Sequence, residues 1–489
     1  MTTPSTCVTP STPAARRPAA RRLLLVCALP LVLALTASCT SSGHEEKAAT
    51  AGAAGVGDPL FAGLGNGGYH VSHYGLTLDY DPDGNRLKGK AVITARSTQR
   101  LSAFNLDLKG LTVRGATVDG RAARTAREGT ELTVTPETAV GKDRQFTTTV
   151  EYDGVPKTVM GDDGAKEGWI ETSDGAVGLG EPTGSMTWFP GNHHPSDKAA
   201  YDITVTVPKD LTAVSNGELK RKETKGDRTT FSWHNGEPMA SYLATVAIGD
   251  FDVATSKSGD IPLYVATDPE EAETEADDSI DVPGTIDEVL DWERGLFGPY
   301  PFSSAGAIVD HLPGLDYALE TQTKPYFEAA PDEALVVHEM AHQWFGNSVT
   351  PRTWRDMWLN ESFATYAEWM WEEKTGGRST DQIFADFYDN SDDESEGIWA
   401  FPPADPPSGA RVSDSPVYGR GAMVLHKLRK AVGDKPFFEA VRAWTHDHRH
   451  GNADTAQFIR HFEEHTGKDL GRVFDTWLRG KGKPPSADA

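Results

Sequence analysis

The sequence predicts an α+β multidomain protein, with an N-terminal antiparallel β domain followed by a mainly helical domain. Two observations carry this. Across residues 69–253 short alternating runs are separated by turn signals: Leu76, Leu78 and Tyr80 precede Asp81-Pro82-Asp83-Gly84, and Phe146/Thr148/Val150/Tyr152 and Tyr201/Ile203/Val205/Val207 repeat the pattern. A period of two is that of strands with one buried face. From residue 254 the spacing changes to that of helices, beginning with Ile286, Val289, Leu290 and Leu296, which share one side of a 3.6-residue repeat. At 489 residues the chain has room for two or three separate cores.

Taken in order, the chain starts with a leader. Arg16, Arg17, Arg21 and Arg22 precede an apolar run over 23–35 and then Thr36-Ala37-Ser38-Cys39. The run is too short to span a bilayer comfortably, so residues 1–39 are predicted to be an export signal. Small residues before a cysteine resemble a bacterial lipobox, which implies a lipid anchor on Cys39 at the outer face of the membrane; plain signal cleavage and secretion is the alternative. Cys7, Cys27 and Cys39 are the only cysteines, so neither a disulfide nor a thiolate metal ligand is available downstream. Residues 40–68, rich in Gly, Ala, Ser and Thr without periodicity, are predicted to be a flexible tether. With 72 acidic against 47 basic residues and a formal charge of −25, the chain is not expected to bind nucleic acid.

Hydrolytic chemistry is concentrated in residues 332–361. His338 and His342 of HEMAH are four residues apart, on one side of a predicted helix that Asp332 and Glu333 start and Gly346-Asn347 stop. Two imidazoles under-coordinate a zinc ion. Glu361, early in a second predicted helix that runs to about Glu373, is assigned as the third ligand. Three protein ligands leave one position open, the pattern of a catalytic site. Glu339, beside a ligand, is placed to take a proton from an attacking water and return it to a leaving group. The reaction class is metal-assisted acyl hydrolysis, with ester and amide both open at this point. HFEEH at 461–465 repeats the histidine spacing without a following base or third ligand, and reads as an exposed amphipathic helix.

HEMAHQWFGNSVTPRTWRDMWLNESFATYAE resembles the zinc signature of the aminopeptidase N family of gluzincins. FGPYPF at 297–302 and LTAVSNG at 211–217 resemble further markers of that family, and the matches together cover most of 70–484. The resemblance implies a β domain at 69–253 covering a thermolysin-like zinc peptidase domain at 254–489, one Zn2+ per chain, and removal of N-terminal residues from peptide substrates. The family's exopeptidase motif aligns with Tyr317-Ala318-Leu319-Glu320-Thr321, which implies that Glu320 holds the substrate's α-ammonium. Tyr317 stands where the motif has glycine and Thr321 where it has asparagine, departures that bear on the first substrate pocket. Tyr418, in Tyr418-Gly419-Arg420-Gly421, matches the tyrosine that serves the developing oxyanion.

Other positions stay open. A site where relatives often carry a glutamine near the substrate amine falls at Glu181, which either shares that task or lies in a surface loop. His193-His194 occupies a predicted turn without an assigned role. The W-L-x-G-x-G-x-P close at 477–484 resembles the end of the catalytic region, so the large helical C-terminal domain of many relatives is expected to be absent and longer peptides to be accepted. Two competing readings remain at this stage. One is a zinc hydrolase for internal peptide bonds, esters or epoxides, motivated by Tyr317 and Thr321; the other is a non-catalytic peptide-binding surface lipoprotein, which the intact base and ligand set oppose.

Overall fold

The computed structural model describes residues 48–161, 164–272, 280–390 and 397–486. The predicted signal peptide, Cys39 and the first part of the predicted tether lie outside them.

In the first lobe the period-two pattern becomes strands with one buried face. Along Tyr69–Asp81 the side chains of Tyr69 and Val71 point inward, and a bulge before His73 then moves the inward set to Tyr74, Leu76, Leu78 and Tyr80. This strand lies in an eight-stranded sheet, flanked by Arg86–Ser97 and Ala199–Pro208. Pairing within that sheet is antiparallel except where Ala199–Pro208 runs parallel to Tyr69–Asp81. A five-stranded sheet contains Lys166–Glu171, Ala176–Leu179, Val246–Gly249 and Thr212–Ser215, and it carries the loops that reach the site.

The second lobe begins with its own four-stranded sheet of Asp252–Ser258, Ile261–Thr267, Ala305–Val309 and Tyr326–Phe327. A division at 253/254 therefore cuts into a strand that belongs wholly to this lobe. Helices follow: α1 (Val282–Phe297), α2 (Glu333–Ala341), α3 (Trp358–Lys374), α4 (Thr380–Asn390), α5 (Gly421–Val432), α6 (Asp434–Asp447) and α7 (Thr455–Thr466). The α3 helix is buried on nearly every side from Trp358 to Ala367. It packs against α2 and α5, so Glu361 is held within the core of the lobe.

Residues 48–68 are not a free tether. Thr50–Ala51 pairs in parallel with Leu101–Asp107, and the Gly52 amide donates to the Ala103 carbonyl at 2.9 Å. Asp58 is buried; its carboxylate accepts from the amides of Leu60 (2.8 Å), Phe61 (2.9 Å) and Trp354 (3.0 Å), tying this segment to the second lobe. The glycines that suggested flexibility instead allow close approach: at Gly65, with φ of 69°, a Cβ would lie 2.6 Å from that of His194. The Pro-rich stretch after 397 likewise buries Trp399 and Phe401.

Candidate active site

Asp332 starts α2 as predicted, its carboxylate accepting from the Leu335 amide at 2.8 Å. The helix ends at Ala341, sooner than Gly346-Asn347 suggested. His342 keeps helical backbone angles just past that end, so both imidazoles still face one side. FGPYPF holds this helix from outside: the Trp344 indole donates to the carbonyls of Gly298 and Pro299, each at 3.1 Å.

His338 Nε2 lies 3.4 Å and His342 Nε2 3.3 Å from Glu361 Oε2. Zinc bonds of ~2.0–2.1 Å at tetrahedral angles set ligand atoms ~3.3 Å apart, so these three groups fit the ion the sequence predicts. The remaining ring nitrogens are engaged elsewhere. His338 Nδ1 donates to Glu368 Oε1 at 2.5 Å and His342 Nδ1 to the Phe345 carbonyl at 3.0 Å, which leaves each Nε2 lone pair facing Glu361. Sequence reasoning missed Glu368, although its place two turns after Glu361 on the same helix was a usable signal.

The field of the pocket favours positive charge. Burial raises the Glu361 carboxyl, but His342 and His338 outweigh it and hold the group down at about 2. Burial lowers the His342 imidazole, and Glu361 outweighs it in turn to lift the ring to about 9. Burial lifts Glu339 to about 7 against the pull of both imidazoles. Glu339 Oε2 is buried with no hydrogen-bond partner among the described residues, and the same holds for Glu320 Oε1.

Glu320 is brought to this pocket by a turn whose Leu319 bridges to Tyr326 with reciprocal backbone bonds of 2.9 and 2.8 Å. Asn347 Nδ2 donates to the Glu320 carbonyl at 2.6 Å, fixing the turn to the segment after α2. LTAVSNG acts here too. Asn216 Nδ2 donates to the carbonyls of Leu243 and Gln322, each at 2.9 Å, and the Gly217 amide donates to Thr323 Oγ1 at 2.7 Å. The two departures from the family motif have structural partners, since the Tyr317 hydroxyl donates to the Lys166 carbonyl at 2.6 Å and the Thr321 hydroxyl closes the turn onto the Lys324 carbonyl.

Glu181 is in the site and not in a surface loop. Its carboxyl and that of Glu320 are within hydrogen-bonding reach of each other, and oxygens of Glu181, Glu320 and Glu361 lie within 4.8 Å of one another. Burial, then the neighbouring carboxylates, push Glu181 well up; burial raises Glu320 as well, against His342. Two such groups share protons until a cation sits between them. The Tyr242 hydroxyl, 3.5 Å from Asn360 Nδ2, belongs to the same group of side chains and was not singled out from sequence.

Tyr418 comes from the irregular turn Pro416–Arg420, which has π-helical pairing, and its ring stacks on His338 at 6.2 Å and 14°. Burial and the facing Glu361, Glu181 and Glu320 raise its phenol well above the ordinary value, so it is a neutral donor at working pH. Elsewhere, His193 and His194 are buried structural groups: His193 Nε2 meets the Phe189 carbonyl at 3.0 Å and His194 Nε2 meets Asp58 at 3.1 Å. His461 of HFEEH is buried against the Ala440 carbonyl at 2.8 Å, contrary to the expected exposed face.

Comparison with known proteins agrees with this geometry. The peptidase M1 N-terminal domain matches residues 70–243 and the peptidase family M1 domain matches 319–477. Tricorn protease-interacting factor F2 of Thermoplasma acidophilum is 29% identical over 325 residues, 62% of this chain and 40% of its own length. Glutamyl aminopeptidase of Bos taurus is 30% identical over 328 residues, 62% of this chain and 34% of its own. The chain thus spans two fifths or less of these curated relatives. The crystal structure of an M1 zinc metallopeptidase from Deinococcus radiodurans superposes with a TM-score of 0.80 at 28% identity, covering 88% of this chain and 98% of that one. A variant of it, solved with a Tyr-Ser-Ala substrate, gives 0.77 at 27% identity over 88% and 99%. With both lobes matched by that family's two domain models and the site built on its zinc signature, the chain belongs to peptidase family M1.

Proposed function

We propose that the chain is a zinc-dependent aminopeptidase that removes N-terminal residues from peptides. The observation that carries this is the carboxyl pair of half-buried Glu181 and buried Glu320, within 4.8 Å of Glu361. A pair of carboxyls at fixed distance from the hydrolytic centre selects a terminal ammonium and disfavours an internal peptide bond. The tripeptide bound by the Deinococcus relative supports peptides as the substrate class.

His338, His342 and Glu361 would hold the zinc, which supplies Lewis acidity and makes water nucleophilic near neutral pH. Glu339 takes the water's proton at its unpartnered Oε2 and returns it to the departing amine. Tyr418 donates its phenol hydrogen to the oxygen that gains charge as the carbonyl is attacked. Glu320 and Glu181 hold the α-ammonium, so the first peptide bond lies at the hydrolytic centre.

Zinc-loaded protein should turn over a panel of aminoacyl anilides and lose that turnover on chelation. Cleavage of N-acetylated internal peptides without anilide turnover contradicts the reading. Export with a lipid anchor is part of the proposal, supported by the arginines, the apolar run and Thr36-Ala37-Ser38-Cys39. Cys39→Ser should release the protein from the membrane fraction; unchanged partition argues against the anchor.

A further inference from the structure

A second cluster of metal-ligating side chains stands away from the hydrolytic centre. Asp447 is the last residue of α6, and His461 and His465 lie one turn apart on α7, which packs against α6. One ligand atom from each lies within 4.8 Å of the other two. The sequence supplied the two histidines but hid the third group, because Asp447 comes from a different helix.

The tautomers suit a metal. His461 Nε2 donates to the Ala440 carbonyl at 2.8 Å and His465 Nδ1 to the His461 carbonyl at 2.9 Å. Each ring therefore keeps one lone pair, on His461 Nδ1 and His465 Nε2, and its other nitrogen is oriented by a carbonyl, as metal-ligating histidines usually are. The rings are 3.9 Å apart. Burial holds His461 below its ordinary value, which keeps it neutral and able to bind. Asp447 Oδ1 accepts from His446 Nδ1 at 2.9 Å, which leaves Oδ2 for an ion. Both α6 and α7 present their C-terminal turns here, and the negative ends of two helix dipoles favour a cation. Tetrahedral binding needs ligand atoms ~3.3 Å apart; the Asp447 and His465 side chains are exposed, which leaves room for them to close that gap.

We propose that Asp447, His461 and His465 form a second site for a divalent transition metal of the zinc class, separate from the hydrolytic ion. Its position suggests what it does. Between α6 and α7 the chain pairs Asn452–Ala453 with Thr350–Pro351, just after the HEMAH segment, and Phe458 of α7 packs on Trp358 and Phe363 of α3. A metal there clamps the two helices that brace the helix carrying Glu361.

Zinc itself is the probe. The full chain, stripped of metal, re-equilibrated with excess zinc and passed through gel filtration, should carry two zinc ions by elemental analysis. His465→Ala and Asp447→Asn, both changes at exposed side chains, should each carry one, with anilide turnover retained and a smaller zinc-dependent rise in melting midpoint. One zinc ion in the unaltered chain, or two retained in both variants, overturns the assignment.

Discussion

Glu368 and Tyr418 each make a separable claim. Glu368→Gln weakens the partner that orients His338 Nδ1, and zinc affinity should fall ~10–100-fold in a competition titration with a chelator. Tyr418→Phe keeps the ring on His338 but removes the donor; kcat should drop by ~10²–10³ with zinc content unchanged. Asp310 tests the electrostatics of the fold apart from catalysis. Burial lifts its carboxyl to about 7, against the Tyr326 hydroxyl that lowers it. A carboxyl raised above its unfolded value contributes stability at pH below about 4 that is lost as pH rises through about 7. Asp310→Asn should therefore melt higher than the unaltered chain at pH 8, with the gap shrinking toward pH 4. A pH-independent gap would assign the effect to packing. At this scale His338, His342 and Glu339 were legible because helical spacing places them together, and Glu361 because two imidazoles leave a zinc ion short of a ligand. Tyr242 and Glu181 were not, since no local pattern reports that a loop of the β lobe turns into the cleft.

Elements explain why some boundaries were readable and others were not. The start of α2 was legible in Asp332, whose cap is local chemistry; Asp332→Ala should cost about 1 kcal/mol in a denaturation series. Its end was misplaced because the turn after Ala341 is set by tertiary bonds, such as the Asn347 side-chain amide to the Glu320 carbonyl at 2.6 Å. The irregular turn Pro416–Arg420 carries Tyr418 and has no sequence period to announce it. Residues 48–68 failed for the opposite reason. Their composition matches a linker, yet the burial of Asp58 and the close approach at Gly65 give that composition a packed use.

On the scale of the whole molecule, the site is assembled from both lobes and depends on the bonds that join them. Asn216 of the β lobe holds the Gln322 carbonyl beside the Glu320 turn, and half-buried Lys198 donates to the carbonyls of Asn347 and Ser348 at 2.9 and 2.8 Å. Asn216→Ala should raise KM for free-amine peptides while leaving zinc content intact, because it loosens the turn that carries Glu320 and not the cluster of His338, His342 and Glu361. The most direct measurement of the central claim compares a free peptide with its N-acetylated form as substrates for zinc-loaded protein and for Glu320→Gln. The account predicts that the unaltered enzyme prefers the free amine strongly and that Glu320→Gln loses ~10–100-fold in kcat/KM on that substrate alone. Equal cleavage of both peptides by the unaltered enzyme, or an unchanged preference in Glu320→Gln, would contradict it.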